Sequence, residues 1–189
     1  MTIKVVFIPG NNNASTKENW FPKVKQELEH ANLNVIASVF PDSDLARYDY
    51  WIPFLKNEIK VDNNTILIGH STGAVAAMRI AESQPILGSV LVGVYHTNLG
   101  MEKEIQSGYF DKPWNWNAIK KNQQWTIIFA SQDDPWIHID EPRFIHSKLN
   151  CEYHEYRDQG HFGGDYSKPD FPELSQFVLR KLSQESNRQ

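Results

Sequence analysis

Cysteine is almost absent from this chain, and so are long hydrophobic runs. The single cysteine, Cys151, excludes an internal disulfide, which favours a reducing compartment. No apolar run approaches the roughly 18 residues of a membrane span. The first apolar run, residues 3–8, ends in Pro9-Gly10 and is too short for a signal peptide. We therefore expect a cytoplasmic protein that does not associate with membranes.

Charge of one sign is not concentrated anywhere in the sequence. The formal net charge is -4, and the lysines and arginines are scattered along the chain. A protein that binds nucleic acid through its backbone phosphates needs a basic patch, so we expect no nucleic-acid partner.

The length and composition fit one domain with a substantial core. The chain has 189 residues, of which 40% are hydrophobic and 12% aromatic. We predict a single domain over residues 1–182 and a polar tail over 183–189. Residues 95–124 interrupt the pattern with glycines and a dense aromatic group, and we interpret them as a cap-like insertion.

Short aliphatic runs alternate with helical patterns through the rest of the chain. This alternation is typical of an α/β protein with a parallel sheet covered by helices on both faces. Ser15 and Glu18 have the spacing of a capping box and predict the start of the first helix there. The predicted strands are residues 3–8, 34–40, 65–68, 89–94, 125–130 and 151–156.

The most informative motif is Gly69-His70-Ser71-Thr72-Gly73. It follows the apolar run 65–68 and precedes a stretch of small residues, which is the strand, turn and helix context of a nucleophile elbow. A serine hydroxyl is a weak nucleophile until a base lies within hydrogen-bond reach. Ser71 is therefore the candidate nucleophile, and the chain must supply an acid and a histidine.

Both partners follow later strands, in the order Ser, Asp, His that is typical of α/β-hydrolases. Asp133 and Asp134 come directly after the strand at 125–130, and His161 lies in a glycine-rich loop after the last strand. His161 would act as the general base, and one aspartate would orient its imidazole. Adjacent residues cannot both face one imidazole, so the two aspartates are alternatives.

Stabilising a tetrahedral oxyanion requires backbone N–H donors. One donor is expected from Thr72, after the nucleophile, and the other from Asn11 in the loop that follows the first strand. That loop lacks the Gly-Lys-Ser/Thr ending of a phosphate-binding P-loop, which argues against a nucleotide.

Several motifs are spread over the chain from end to end, at 8–11, 51–54, 68–74, 107–110, 113–116, 133–135 and 160–162. Together they resemble the retinoblastoma-binding protein 9 type of small serine hydrolase. This resemblance implies a compact α/β-hydrolase fold with six parallel strands in the order 2-1-3-4-5-6. It also implies that the second aspartate of Asp-Asp-Pro, Asp134, is the triad acid. The segment 59–63 lacks the Leu-x-Cys-x-Glu pattern of the name-giving member, so binding of the retinoblastoma protein is not expected.

We therefore expect a serine hydrolase that cleaves a small ester, thioester or amide through an acyl-enzyme. The alternatives are an acyltransferase and a non-catalytic protein-binding module of hydrolase ancestry. Neither a cofactor nor a metal is expected, because Cys151 and His154 alone are too few ligands for zinc. Four aromatic residues are candidates for the substrate pocket, although aromatic side chains more often serve core packing: Tyr109, Trp114, Trp116 and Phe162.

Overall fold

Six parallel strands form one sheet in this computed structural model, which describes residues 3–186. Their order across the sheet is β2-β1-β3-β4-β5-β6, so the predicted α/β fold and strand order are confirmed. The strands are β1 (Lys4–Ile8), β2 (Asn34–Ile36), β3 (Thr65–His70), β4 (Gly88–Val92), β5 (Trp125–Ser131) and β6 (Glu152–Tyr156).

Helices cover both faces of the sheet. Because side chains alternate along a strand, Val5 and Phe7 pack against α1 and α7, whereas Val6 and Ile8 face the opposite layer. The helices are α1 (Phe21–His30), α2 (Tyr48–Pro53, continued by a π-helical turn over Phe54–Glu58), α3 (Thr72–Ser83), α4 (Glu102–Gln106), α5 (Trp116–Lys121), α6 (Asp140–Leu149) and α7 (Pro172–Ser186).

Three predicted boundaries differ from the observed ones. The first helix begins at Phe21, not at a capping box on Ser15, because the left-handed backbone of Asn19 (φ 52°) separates Ser15 from the helix. Ser15 instead accepts the N–H of Lys17 in a turn. Strand β2 stops at Ile36 rather than at residue 40. The predicted tail is helical as far as Ser186, and residues 187–189 lie outside the described part.

The stretch 95–124 contributes to two different parts of the molecule. Its first half contains α4 and adjoins the cavity described below. Its second half packs α5 against α3, where the buried guanidinium of Arg79 donates to the carbonyls of Tyr109 and Lys112 and stacks over the Trp114 ring. The part of the stretch that lines the cavity ends at Glu104.

Candidate active site

Ser71 lies in a strained turn between β3 and α3. Its backbone has φ 56° and ψ -124°, a region that side-chain-bearing residues rarely adopt. A Cβ added to Gly69 would lie 2.3 Å from the carbonyl oxygen of Gly73, and one added to Gly73 would lie 2.2 Å from that of Ile8. The two motif glycines are thus required by the close approach of backbone to backbone.

The His161 imidazole is held by Asp134. Its Nδ1–H donates to Oδ2 of Asp134 over 2.7 Å, and the two side chains are only 5% and 3% exposed. The other oxygen, Oδ1, accepts the backbone N–H groups of Trp136 and Ile137, both at 3.0 Å. These two contacts hold the carboxylate in the orientation in which Oδ2 accepts the imidazole N–H.

Asp133 points elsewhere and has a different set of partners. Its Oδ1 accepts the Ser131 hydroxyl at 2.6 Å and the backbone N–H of Gly160 at 2.9 Å. The Ser131 hydroxyl in turn accepts the N–H of Gln159. Asp133 therefore ties the start of the histidine loop to the end of β5.

Space for the imidazole is left by a glycine at the end of β4. A Cβ on Gly93, whose φ is +57°, would lie 3.2 Å from Cε1 of His161 and 3.3 Å from its Nδ1. On another side the Trp136 ring meets the imidazole edge to face, with centroids 4.8 Å apart.

His70 also contacts the histidine loop, a role that the sequence did not indicate. Its Nε2–H donates to the backbone carbonyl of His161 over 2.6 Å. Burial, followed by the neighbouring His161 imidazole, lowers the pKa of His70 to about 3. His70 is therefore neutral at physiological pH and helps to hold the loop.

The loop after β1 lies directly against the serine. A Cβ on Gly10 would be 3.3 Å from Cβ of Ser71. Further along this loop, the N–H groups of Asn12 and Asn13 donate to the carbonyls of Asp44 and Ser43, respectively. Within residues 3–186, neither the backbone N–H of Asn11 nor that of Thr72 donates to any acceptor.

Ser71 and His161 both open onto a cavity of about 790 Å³. That volume lies in the ordinary range of small-molecule sites. Its lining includes the loop that carries Asn11, Asn12 and Asn13. Its apolar lining residues are Phe21, Tyr95, Leu99, Met101, Trp136 and Ile137.

The four aromatic residues expected to line the pocket do not line this cavity. Tyr109 and Phe162 are completely buried, the first against Tyr48 and the second stacked on Phe171. Trp114 and Trp116 stack on each other beside a separate shallow groove. Tyr109 and Phe162 belong to the two hydrophobic clusters of the core, and Trp114 and Trp116 pack against one of these clusters.

Glu104 is a site-adjacent residue that sequence reasoning missed. It lies on α4, lines the cavity and is only 4% exposed. Burial raises the pKa of its carboxyl, an effect that hydrogen bonds from Thr72 and Asn11 oppose. Residues 102–104 are all charged, so nothing in the sequence indicates that Glu104 is buried. Only the packing of α4 places it at the site.

Other site chemistries find little support in the described residues. Across residues 3–186, no group of three or more His, Cys, Asp or Glu side chains is arranged to hold a metal ion. Burial raises the pKa of the Cys151 thiol to about 12, which makes that cysteine a poor nucleophile. In the same part of the chain, no helix has the length and apolarity needed to cross a membrane.

The parallel sheet and the serine turn at the carboxyl end of β3 are those of an α/β-hydrolase. The chain belongs to the serine hydrolase family, whose profile matches residues 5–180. It is 37% identical over 182 residues to serine hydrolase RBBP9 of Rattus norvegicus, a match that covers 95% of this chain and 96% of that protein.

Two solved structures share the fold at low sequence identity. The ydeN gene product of B. subtilis superposes with a TM-score of 0.87 at 21% identity, covering 96% of this chain and all (100%) of the other. Est1E from Butyrivibrio proteoclasticus with bound ferulic acid superposes with a TM-score of 0.77 at 11% identity, covering 96% and 90%. The family resemblance inferred from the motifs is confirmed, and the protein is a serine hydrolase.

Proposed function

We propose that this serine hydrolase cleaves a small ester, thioester or amide through an acyl-enzyme formed on Ser71. The observation that carries the proposal is the buried 2.7 Å contact between Nδ1 of His161 and Oδ2 of Asp134, beside the strained turn that presents Ser71. A carboxylate on Nδ1 holds the imidazole in the tautomer whose Nε2 can accept a proton.

The proposed reaction has two steps. Ser71 Oγ attacks the substrate carbonyl while His161 takes its proton, and the protonated imidazole then delivers that proton to the leaving alcohol, thiol or amine. A water molecule activated by His161 hydrolyses the acyl-enzyme and restores the serine. Asp134 stabilises the imidazolium that forms in each step.

The N–H groups of Asn11 and Thr72 are the proposed donors to the oxyanion. Thr72 follows Ser71 in the chain, and Asn11 follows Gly10, which adjoins Ser71. Neither N–H has another acceptor in the described structure. Donors that are unpaired in the resting protein can bond the developing charge without first breaking another contact.

The size and composition of the cavity support a small substrate with an apolar portion. About 790 Å³ accommodates a molecule of drug-like size, and several apolar side chains line the cavity together with the serine. The asparagines of the loop after β1 offer amide groups to a polar portion of the substrate. The same site geometry would serve an ester, a thioester or an amide, and hydrolysis assays distinguish among the three.

Covalent labelling tests the proposal directly. We expect a fluorophosphonate probe to form an adduct that mass mapping assigns to Ser71. Ser71→Ala should abolish the adduct, and His161→Ala should slow its formation by at least about a hundredfold. The matched control is Ser83→Ala at the far end of α3, where the hydroxyl only donates to the Ile80 carbonyl.

Hydrolysis of p-nitrophenyl esters, an acyl thioester and an acyl anilide would then rank the substrate classes. A folded wild-type protein that neither labels nor hydrolyses any of them would overturn the proposal and favour the binding-module alternative. An acyl-enzyme that reacts faster with an added amine or alcohol than with water would instead indicate an acyltransferase.

A further inference from the structure

Glu104 joins the two segments that carry the proposed oxyanion donors. Its Oε1 accepts Nδ2–H of Asn11 at 2.7 Å and the hydroxyl of Thr72 at 3.4 Å. Thr72 and Tyr95 hydroxyls are also hydrogen-bonded, at 2.9 Å. One carboxylate oxygen thus connects the loop after β1 with the first residue of α3.

The carboxyl occupies an unfavourable place for a group that only stabilises the fold. Its second oxygen, Oε2, is buried and has no hydrogen-bond partner within residues 3–186. A carboxyl is seldom this deeply buried unless hydrogen bonds stabilise it, and those that Oε1 accepts come from Asn11 and Thr72. The arrangement is explained if the position of Oε1 has a separate use.

We infer that Glu104 is a positioning residue that holds the backbone N–H groups of Asn11 and Thr72 in the geometry that binds the oxyanion. This inference rests on the proposed function. Glu104 acts through its bonds to the side chains of Thr72, which follows Ser71, and of Asn11, which follows Gly10 beside Ser71. It does not contact the reacting atoms itself.

A negative charge close to an oxyanion would oppose catalysis, and the environment of Glu104 reduces that effect. Burial raises the pKa of its carboxyl and so favours the neutral form more than in water. An oxygen that accepts hydrogen bonds is available in either form. The positioning role therefore requires an acceptor oxygen and does not require the charge.

The test compares Glu104→Ala with Glu104→Gln in steady-state hydrolysis of a p-nitrophenyl ester. We expect Glu104→Ala to lower kcat by at least about tenfold with KM changed less than about threefold, because a misplaced oxyanion donor weakens the transition state more than the ground state. Glutamine retains an acceptor oxygen, so Glu104→Gln should keep kcat within about threefold of wild type.

A second pair of variants tests whether Glu104 acts through Asn11. Asn11→Ala removes the same hydrogen bond from the other side and should lower kcat by a similar factor. The double variant Asn11→Ala/Glu104→Ala should then lose little more than either single variant. Losses that multiply in the double variant would overturn the inference.

Glu141→Ala is the matched control for loss of a partly buried carboxylate that anchors another part of the stretch 95–124. Glu141 accepts the N–H groups of His96 and Thr97 and lies on α6, away from Asn11 and Thr72. We expect this variant to lower the melting temperature and to leave kcat within about twofold of wild type.

The alternative outcomes separate the inference from the function on which it rests. An active wild type whose Glu104→Ala variant keeps its kcat overturns the positioning role alone. A rise in KM with constant kcat would make Glu104 a substrate contact and would also overturn it. If Glu104→Ala does not fold, Asn11→Ala decides, and a wild-type kcat in that variant contradicts the inference. An inactive wild type removes the proposed function itself.

Discussion

Replacing Asp134 with asparagine would reverse the hydrogen-bond polarity at Nδ1 of His161. The amide oxygen can remain on the N–H groups of Trp136 and Ile137, which now hold Oδ1 at 3.0 Å. The amide NH₂ then faces Nδ1, so the imidazole must place its proton on Nε2. In that tautomer Nε2 cannot accept the proton of Ser71.

The expected loss follows from this change of tautomer. In serine protease triads the same substitution lowers kcat by about 10⁴-fold with the geometry intact. At about 1.36 kcal/mol for each factor of ten, the transition state loses about 5 kcal/mol. We therefore expect Asp134→Asn to lower kcat for a p-nitrophenyl ester, and the rate of fluorophosphonate labelling, by about 10³- to 10⁴-fold.

Asp133→Asn is the matched control, because the two positions are adjacent and the chemical change is identical. Asp133 accepts only from the Ser131 hydroxyl and from N–H groups, and an amide oxygen can accept from these as well. We expect less than about a fivefold loss of kcat. Comparable losses in both variants, with unchanged melting temperatures, would refute the assignment of the acid to Asp134.

Three further changes test other parts of the site. Gly93→Ala should lower kcat at least about tenfold and reduce the melting temperature. The new Cβ would lie 3.2 Å from Cε1 of His161, and a φ of +57° is strained for alanine. Wild-type kinetics would show that the imidazole tolerates the displacement. Folding lowers the pKa of His70 from 6.5 to about 3. Below pH 6.5 the unfolded state therefore binds a proton that the folded state does not. The free energy of unfolding then decreases with falling pH, by up to about 1.4 kcal/mol per pH unit. Urea unfolding between pH 7 and 4.5 should show a shallower fall for His70→Gln, and an equal slope would contradict the buried neutral histidine. Arg79→Met should destabilise the fold by about 3 kcal/mol in urea unfolding, since it leaves the Tyr109 carbonyl without its donor; an unchanged midpoint would contradict that anchoring role.

The sequence by itself was sufficient for the sheet and for the turn that presents Ser71. Buried parallel strands are continuous aliphatic runs, which leave a local pattern. The glycines leave another, because a Cβ at 69 would collide with the backbone of Gly73 and a Cβ at 73 with that of β1. The order Ser, Asp, His also follows from the chain, because the carboxyl ends of parallel strands meet at one edge. The helix start at Phe21 was missed because Ser15 and Glu18 have capping spacing while Asn19 turns the backbone the other way.

Only the tertiary structure decided which side chains face the serine. Asp133 and Asp134 are equivalent by pattern, and their directions depend on whether Ser131 and Gly160 or His161 lies in front of each carboxylate. Tyr109 was expected to line the pocket but is buried, whereas Glu104, which the sequence did not single out, joins Asn11 and Thr72. Local periodicity indicates the backbone conformation of a helix or strand and which of its faces is buried. The side chains that surround a residue at the end of a strand come from distant segments of the chain, and only tertiary packing brings them together.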